Sequence, residues 1–289
     1  MFGETIAGKR VTSTPGPMRQ RYAMKSLTEQ LKEIENQPII NDLIQDLFPD
    51  SATSYMLICG RSGIGKTFLA LNLLYCLASG TPFLSFKTKQ CKVGYLSMEG
   101  SKVKIAARFT AISEHFPSCN GNISWEHTTA IKLNKDGFDK LSSIVQGQDV
   151  VIVDTLRYLV PGDYNKPSDA QAFLESLLKL QNTCSTRLIL LHHIRKPDRR
   201  LKIHPEDIIF EVKGPTEYVE GATTVLLLER ALHQKDNRGK FVSSNDDNKV
   251  LYFAKVKDSP TDLRPLTLHF NRETLIFEPQ TTMFDEEDM

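Results

Sequence analysis

The sequence predicts an α/β fold, in which a mostly parallel twisted sheet is flanked by helices and antiparallel strands are added towards the C-terminus. Two observations point to this class. From residue 54 onward, short apolar runs alternate with longer segments whose apolar residues recur at helical spacing. In the last third, strand-like runs follow one another with only polar turns between them, which is typical of antiparallel strands.

The chain before this alternation has two parts. Residues 1–25 hold two prolines and five basic side chains against one acidic side chain, so we expect a flexible basic arm. This arm is either a solvated tail or a contact for DNA or a neighbouring subunit. Residues 26–48 have apolar residues at helical spacing and predict a helical extension with a break or kink at Pro38, packed on the domain that follows.

Strands and helices are then predicted in alternation up to residue 191. Apolar runs mark strands at residues 55–59, 93–97, 123–126, 150–153 and 188–191, and helices are predicted at 68–78, near 101–115 and near 136–146. The first of these helices ends at Gly80, and a capping box formed by Ser168 and Gln171 places the start of a further helix at Ser168. The last two apolar runs contain no polar alternation, which suits strands buried on both faces of a parallel sheet.

The final part of the chain predicts an antiparallel extension of the sheet. The strands are expected at residues 225–228, 250–256, 266–270 and 275–277, with a polar turn at 236–239. Because there is no internal repeat and no long low-complexity linker, we expect one domain over residues 26–280. An acidic tail, expected to be mobile, follows at residues 281–289.

The composition excludes several classes of protein. Hydrophobic residues at 40% and charged residues at 25% exclude a mainly disordered chain. A formal net charge of +1 generates no strong field towards nucleic acid or membrane, so an anionic partner must meet a local patch. The five cysteines are scattered without a Cys-x-x-Cys pair and suggest neither a disulfide framework nor a zinc site. Because no apolar run is long enough for a signal peptide or a bilayer span, we expect a cytoplasmic protein without a membrane partner.

The clearest motif is a glycine-rich turn between a predicted strand and a predicted helix. It fits the pattern G-x-x-x-x-G-K-[ST], for which a purely structural turn is the other interpretation. In such a loop, backbone N–H groups surround a polyphosphate, the lysine reaches the β- and γ-phosphates, and the hydroxyl ligates Mg²⁺. The predicted nucleotide-binding residues are Gly60, Arg61, Ser62, Gly63, Ile64, Gly65, Lys66, Thr67 and Phe68.

Two carboxylates follow predicted strands and are therefore expected at the same edge of the sheet as the loop. Asp154 directly follows the apolar run at 150–153, where it can hold Mg²⁺ together with Thr67. Glu99 follows the strand at 93–97, where a general base can polarise water towards the γ-phosphate. From position alone, Asp154 is either a metal ligand or a strand cap, and Glu99 is either the base or a surface glutamate.

Taken together, these segments resemble the RecA-like ring ATPases, and among them the small hexameric replicative helicases of the plasmid RepA kind. The resemblance covers about residues 43–277 and is carried by Asp46-Leu-Phe-Pro, the glycine-rich turn, Tyr95-Leu-Ser-Met-Glu99, Val151-Ile-Val-Asp154-Thr-Leu-Arg157 and Leu190-Leu-His192-His193. The Ser-Met-Glu segment matches the Ser-Leu-Glu segment of DnaB-type helicases. The resemblance implies a RecA-like P-loop fold, ATP and Mg²⁺ as cofactors, Glu99 as the catalytic base, and a homo-oligomeric ring that is expected to be a hexamer.

The resemblance also implies a sensor of the γ-phosphate at the end of the strand at 188–191. In this family a polar switch residue there relays the state of the nucleotide to the DNA-binding loops. His193 aligns best with that position, and His192 precedes it. The alternative is a pair of hydrogen-bonded histidines that merely end a strand.

Ring ATPases of this family bind the nucleotide between subunits, and the neighbouring subunit supplies cations. The segment Phe253-Ala-Lys255-Val-Lys257-Asp-Ser-Pro260 is similar to the Lys-x-Arg-Asn-Gly-Pro segment of DnaB-type proteins, with Lys257 in place of the arginine. Lys213-Gly214 resembles an Arg-Gly segment of RepA-type proteins with the same replacement. A lysine lacks the bidentate fork of arginine, so assistance from these three lysines is expected to be weaker. Otherwise they form a solvated basic edge.

In this family, DNA is held by the loops that follow the Asp154 strand and the His193 strand. The second loop carries five cations against one aspartate and can supply sequence-independent phosphate contacts. The first loop, residues 161–167, is weakly charged, but Tyr164 can stack on a base. The other interpretation is that both loops are solvated or contact a subunit. The predicted DNA-binding residues of the second loop are Arg195, Lys196, Arg199, Arg200 and Lys202.

The favoured interpretation is an ATP-driven ring motor on single-stranded DNA, a replicative helicase of a plasmid, phage or other mobile element. The alternative is a RecA- or RadA-like recombinase, or a regulatory ATPase that remodels a protein or DNA partner. A nucleotide-binding scaffold without turnover is a third interpretation. Residues 1–50 are too short for a primase-binding domain, so a primase or an initiator protein is expected as a separate partner.

Overall fold

The computed structural model describes residues 24–35, 42–51, 53–129, 131–195, 209–231, 234–235, 241–242, 247–257, 259 and 263–280. The chain divides into an N-terminal unit, Met1–Ile39, and a main unit, Ile40–Met289. Nearly all of the predicted basic arm and the whole acidic tail lie outside the described residues, and so does Pro38.

The N-terminal unit contains one described helix, α1 (Leu27–Glu35). Its first turn is closed by a reciprocal cap. The Ser26 N–H donates to Glu29 Oε2 at 2.9 Å, and the Glu29 N–H donates to Ser26 Oγ at 3.3 Å. The helix predicted in the first part of the N-terminal extension is therefore confirmed.

From Asp42 onward, that extension is not helical. It forms an antiparallel pair of short strands, β1 (Asp42–Ile44) and β2 (Phe48–Pro49). Asp46 lies in the turn with φ at 58°, and its N–H donates to Asp42 Oδ2 at 2.8 Å. The apolar residues at 43, 44 and 47 have helical spacing, but a tight turn buries the same side chains. The helix predicted up to residue 48 is wrong for this reason.

The main unit is built on one large sheet, and the predicted α/β fold is confirmed. Its strands are β3 (Tyr55–Gly60), β4 (Val93–Ser97), β5 (Ile123–His127), β6 (Val150–Asp154), β7 (Arg187–His193), β8 (Thr224–Arg230), β11 (Asn248–Val256), β12 (Leu266–Asn271) and β13 (Ile276–Pro279). They lie in the order β13-β12-β11-β8-β3-β7-β6-β4-β5. The six strands from β8 to β5 are parallel, and β11, β12 and β13 extend one side in antiparallel fashion, as predicted.

Helices cover both faces of this sheet. One face is covered by α2 (Lys66–Ser79) and α3 (Lys102–Ser113), and the other by α4 (Lys135–Val145), α5 (Leu156–Leu159), α6 (Pro167–Cys184) and α7 (Glu217–Gly221). The central strand explains why its apolar run does not alternate. Met56 and Ile58 pack on the first face, while Leu57 and Cys59 pack on the second, and all four are fully buried. The short helices α5 and α7 are absent from the sequence-based prediction.

α2 is the most deeply buried helix on the first face, and apolar side chains surround most of it. It ends where predicted, because Gly80 has φ at 75° and its N–H donates to Cys76 O at 2.8 Å. Its one central polar residue, Asn72, binds the backbone of the last strand. The side-chain oxygen accepts from the Phe277 N–H at 2.9 Å, and the side-chain nitrogen donates to Leu275 O at 3.1 Å.

α6 begins one residue earlier than predicted and without the predicted capping box. Pro167 occupies its first position, where a missing N–H costs nothing and the fixed φ suits a helix. Ser168 therefore lies inside the first turn, and its hydroxyl donates to Asp169 Oδ1 at 3.3 Å. The other oxygen of Asp169 accepts from the Asp163 N–H at 2.9 Å, which ties the preceding loop to the helix.

Two further short strands, β9 (Gln234–Lys235) and β10 (Phe241–Val242), pair antiparallel outside the main sheet. The polar turn predicted at 236–239 between them lies outside the described residues. Within the described ranges, no helix has the length and apolar character needed to cross a bilayer.

Candidate active site

The glycine-rich turn connects β3 to α2 at the carboxyl edge of the sheet. Gly60 ends the strand, and a Cβ on it would stand 2.7 Å from the backbone oxygen of Leu228 on β8. At Gly63 the tip of the turn is open, because no described atom lies within 4 Å of a Cβ position. Ile64 is buried beneath the tip and anchors it to the core, while Ser62 is exposed. The turn therefore presents backbone N–H groups at the start of a helix, which suits an anion.

Lys66 is folded across the mouth of this turn. Its ammonium donates to Gly60 O at 2.9 Å and to Arg61 O at 2.8 Å. Burial lowers the pKa of Lys66, and this effect is opposed by the nearby carboxylates of Asp154 and Glu99. The cation is therefore held where the phosphates of a nucleotide are expected, with two neutral carbonyls as its present partners.

Thr67, Asp154 and Tyr95 form a hydrogen-bonded cluster beside Lys66. The Thr67 hydroxyl donates to Asp154 Oδ2 at 2.7 Å, and the Tyr95 hydroxyl donates to the same oxygen at 2.9 Å. Asp154 is only 8% exposed, and these two donors satisfy its Oδ2 in the buried site. The two predicted metal ligands, Thr67 and Asp154, are therefore in direct contact. Tyr95 is missed by sequence reasoning, because nothing in the sequence separates it from the other apolar positions of its strand.

The donor set fits Mg²⁺, which is bound by hard oxygen ligands and retains several water and phosphate oxygens. Thr67 and Asp154 offer one hydroxyl and one carboxylate that already touch each other at the start of α2. Among the described residues there is no group of three or more His, Cys, Asp or Glu side chains that could hold a metal without help. A nucleotide is therefore expected to supply the rest of the coordination.

Glu99 lies on an exposed turn immediately beyond β4. Two contacts place this turn beside Asp154. Ser97 is the register partner of Asp154 across β4 and β6, and the Met98 N–H donates to Asp154 O at 2.6 Å. The carboxylate of Glu99 also interacts electrostatically with Lys66. The predicted base thus lies at the same sheet edge as the loop, and its catalytic role stays a prediction.

His193 and His192 point to opposite faces at the end of β7. His193 is half-buried and is the register partner of Gly60, and burial followed by the charge of Lys66 lowers its pKa. The imidazole is therefore neutral at pH 7 and lies beside the loop. His192 is fully buried, which lowers its pKa to about 4, and its Nε2 lies 2.7 Å from Lys213 O.

Tyr164 belongs to the His192 side of the sheet. Its hydroxyl lies 3.2 Å from His192 Nδ1, so it donates to that nitrogen when Nε2–H donates to Lys213 O. Its ring stacks on Tyr218 with a centroid distance of 5.7 Å. The ring has these protein contacts in the present structure, and its stacking on a base stays a prediction.

The three lysines predicted to act in trans differ in their present contacts. The Lys255 ammonium donates to Val219 O and Glu220 O, each at 2.8 Å, and so binds the carbonyls at the end of α7. Lys257 is exposed at the end of β11. Lys213 is half-buried, and its backbone N–H donates to His193 O at 3.0 Å. Their action on a neighbouring subunit stays a prediction.

Only the first cation of the predicted DNA-binding loop is described. Arg195 is exposed, its N–H donates to Glu211 O at 2.7 Å, and its guanidinium lies 3.4 Å from Gly214 O. Together with Lys213 and Asn165 it lines an open pocket of about 510 Å³. The other predicted DNA-binding residues, Lys196, Arg199, Arg200 and Lys202, lie outside the described residues.

Two further predicted nucleotide-binding residues, Arg61 and Phe68, contact side chains from distant parts of the chain. The Arg61 side chain donates from Nε to Glu229 Oε2 at 3.0 Å, which ties the turn to β8. The ring of Phe68 packs 4.9 Å from that of Phe270, and the Arg108 guanidinium lies 4.8 Å from its centre. Through these contacts Phe68 packs α2 against Phe270 of β12 and Arg108 of α3. No sequence motif points to either Glu229 or Arg108, because both reach the site from distant parts of the chain.

Comparison with known proteins shows to which family the chain belongs. A family model described as an AAA domain matches residues 19–199, which is more than half of the chain. No curated protein has a sequence significantly similar to the chain.

Solved structures show the same fold at low sequence identity. A DnaB-like replicative helicase, described with its interactions with primase, is 16% identical with a TM-score of 0.58, over 88% of this chain and 67% of that chain. A KaiC-like protein of the hyperthermophilic archaeon Pyrococcus horikoshii is 13% identical with a TM-score of 0.53, over 82% and 93% of the two chains. The RadB recombinase is 15% identical with a TM-score of 0.51, over 78% and 90%. The chain therefore belongs to the AAA domain family, and its fold is that of the RecA-like P-loop ATPases.

Proposed function

We propose that the protein is an ATP-hydrolysing ring motor that acts on single-stranded DNA in the cytoplasm, as a replicative helicase of a plasmid, phage or other mobile element. The observation that carries the proposal is the cluster of Lys66, Thr67 and Asp154 at the carboxyl edge of the sheet. Glu99 and His193 lie at the same edge, so one site offers phosphate binding, metal binding, a base and a sensor.

Hydrolysis would use these side chains in separate roles. A water oxygen forms a bond to the γ-phosphorus, the bond from that phosphorus to the bridging oxygen breaks, and ADP leaves with the electron pair. Glu99 accepts the proton of the attacking water, for which its exposed place beyond β4 is suitable. Lys66 exchanges its bonds to Gly60 O and Arg61 O for bonds to phosphate oxygens. Mg²⁺, held by Thr67 and Asp154 when bound with ATP, would neutralise part of the phosphate charge.

Action on DNA is supported by the segment after β7. His193 lies beside Gly60, and its carbonyl accepts from the Lys213 N–H, so the nucleotide loop and the Lys213 segment contact the same residue. The predicted basic loop begins at Arg195, two positions later in the chain. A ring, expected to be a hexamer, and a primase or initiator protein as partner are part of this proposal. The similar DnaB-like helicase, which interacts with primase, supports this part.

The proposal is tested by ATPase rates with and without single-stranded DNA and by strand displacement on a forked duplex. We expect stimulation by DNA, ATP-dependent unwinding, and a kcat lower by about 10²–10⁴-fold in Glu99→Gln with unchanged ATP affinity. Glu114→Gln, which changes an exposed glutamate at the end of α3, is the matched control. A wild-type protein without stimulation or unwinding would exclude the helicase. Equal background rates in the wild-type protein and in Glu99→Gln would leave a scaffold without turnover, whereas an unaltered rate above background would exclude Glu99 as the base.

One observation favours the second candidate, a recombinase-like or regulatory ATPase. Lys255 binds carbonyls of its own chain, so one of the predicted trans cations is already engaged. The two candidates differ in assembly. Mass measurement with an ATP analogue and single-stranded DNA gives a closed ring for the motor, and filaments or a partner-dependent monomer for the alternative.

A further inference from the structure

Tyr95 is a fully buried residue whose phenol reaches the metal-binding carboxylate. It is 1% exposed, and its hydroxyl donates to Asp154 Oδ2 at 2.9 Å. The same oxygen accepts from the Thr67 hydroxyl at 2.7 Å. Both donors therefore bind Oδ2, and among the described residues no side-chain donor bonds to Oδ1.

The sheet fixes this contact. Ser97 is the register partner of Asp154, and Tyr95 is two residues before Ser97, so Tyr95 lies diagonally across from Asp154 on the same face. The ring of Phe109 on α3 packs edge-on against Tyr95 with a centroid distance of 5.6 Å. The phenol ring is thus fixed between its own strand, β4, and α3, which keeps its hydroxyl directed at Asp154.

The contact has a direction that suits a metal site. A phenol is protonated at neutral pH and donates, so the carboxylate is the acceptor. Thr67 can direct a lone pair to a cation only while its O–H points elsewhere, and that O–H donates its hydrogen bond to Asp154 Oδ2. The Tyr95 hydroxyl holds Oδ2 in place and leaves Oδ1 without a side-chain donor among the described residues.

We propose that Tyr95 is a positioning residue that presets the Asp154 carboxylate for the magnesium–nucleotide complex. The inference rests on the proposed function, since it deepens the description of the same site. Tyr95 does not touch the nucleotide in this proposal and acts through Asp154 alone. Its removal is therefore expected to weaken the binding of Mg²⁺ with the nucleotide and to leave metal-free nucleotide binding unchanged.

The chain offers a matched control in Tyr75. This residue is also buried, its hydroxyl donates at 2.9 Å to Phe109 O, and its ring contacts the same Phe109 at a centroid distance of 6.2 Å. Tyr75→Phe and Tyr95→Phe each remove one oxygen and the hydrogen bond of one tyrosine that packs on Phe109. Only Tyr95→Phe removes a contact to the metal-binding carboxylate.

The experiment measures the affinity of a fluorescent ATP analogue by anisotropy while Mg²⁺ is titrated, with EDTA as the metal-free reference. We expect Tyr95→Phe to need about three- to tenfold more Mg²⁺ for half-maximal enhancement, which corresponds to the net contribution of a typical hydrogen bond. The affinity in EDTA should equal that of the wild-type protein. Tyr75→Phe should match the wild-type protein in both conditions.

The outcomes separate this inference from the proposed function. If the wild-type protein shows no Mg²⁺-enhanced nucleotide binding, the proposed function fails. If it does show enhancement and Tyr95→Phe responds to Mg²⁺ in the same way, the positioning role alone is refuted. In an Asp154→Asn background, Tyr95→Phe should add no further loss, and an additional loss there would also refute it. Should Tyr95→Phe not fold, Phe109→Leu, which loosens the ring and keeps the hydroxyl, must give a smaller shift in the same direction for the proposal to stand.

Discussion

Gly60 and His193 are register partners at the carboxyl ends of β3 and β7, so the first residue of the nucleotide loop lies beside a half-buried imidazole. The His193 carbonyl in turn accepts from the Lys213 N–H at 3.0 Å. One residue thus contacts both the loop and the segment that borders the predicted DNA-binding region.

This relationship predicts that a substitution of His193 uncouples ATP hydrolysis from stimulation by single-stranded DNA. In His193→Ala the main-chain contacts remain, but the imidazole beside the nucleotide loop is lost, so we expect ATP to bind with nearly unchanged affinity while stimulation of the ATPase by single-stranded DNA falls by about 5- to 100-fold. The measurement is the ATPase rate over a titration of single-stranded DNA. His115→Ala, at an exposed position after α3, should behave like the wild-type protein. Equal stimulation in both variants would contradict the prediction.

The burial of His192 predicts a dependence of stability on pH. Burial lowers its pKa from 6.5 to about 4, so between these values the unfolded chain binds more protons than the folded one. Stability is then complete above about pH 6.5 and is lost as the pH falls towards 4, by about 3 kcal/mol.

Urea unfolding of the wild-type protein and of His192→Gln over this pH range checks the prediction. The substitution removes the titrating group and keeps a side-chain amide that can donate to Lys213 O. We expect a flatter pH profile in the variant. Parallel profiles in the two proteins would show that His192 does not cause the acid sensitivity.

The nucleotide loop predicts two different responses to the same small substitution. In Gly60→Ala the new Cβ would stand 2.7 Å from Leu228 O, which is backbone and moves only with β8, so we expect a loss of about 2–4 kcal/mol. In Gly63→Ala the described surroundings leave space, and only φ of 75° is unfavourable, which costs about 1 kcal/mol. Denaturant unfolding of both variants is the measurement, and equal losses would contradict the clash.

Substitutions of Lys255 and Lys257 should have different effects, the first on stability and the second on catalysis. Lys255→Met removes two hydrogen bonds to α7 and should lower the free energy of unfolding by about 1–2 kcal/mol. Lys257→Met changes an exposed side chain and should leave stability unchanged. If Lys257 reaches a neighbouring nucleotide, the kcat of this variant should fall at least about tenfold in the assembled state. A normal kcat in Lys257→Met would exclude Lys257 as the trans cation.

Most of the sheet could be predicted because its signals are local. Strands buried on both faces give unbroken apolar runs, and the runs at 55–59, 93–97 and 150–153 coincide with β3, β4 and β6. The turn between β1 and β2 could not be predicted, because its buried residues have the spacing of a helix. The residue with positive φ in this turn is Asp46 and not a glycine, so no glycine in the sequence marks the turn.

The candidate site divides in the same way. The motif identifies Lys66 and Thr67, and strand ends identify Asp154, so this core is accessible from the chain alone. Tyr95 and Glu229 become visible only through packing, since their partners are 59 and 168 positions away in the chain. The loop position of Tyr164 predicts a DNA contact, but tertiary contacts with Tyr218 and His192 determine where its ring lies.

The hydrogen bonds of Asn72 to Leu275 and Phe277 join positions that are 203 and 205 residues apart. The ring of Phe277 also stands 2.9 Å from where a Cβ on Gly65 would lie. During synthesis, α2 therefore lacks its contacts with Leu275 and Phe277 until almost the whole main unit has left the ribosome. Nucleotide capture by this chain should accordingly be a late event in folding, and it would mark a completed main unit.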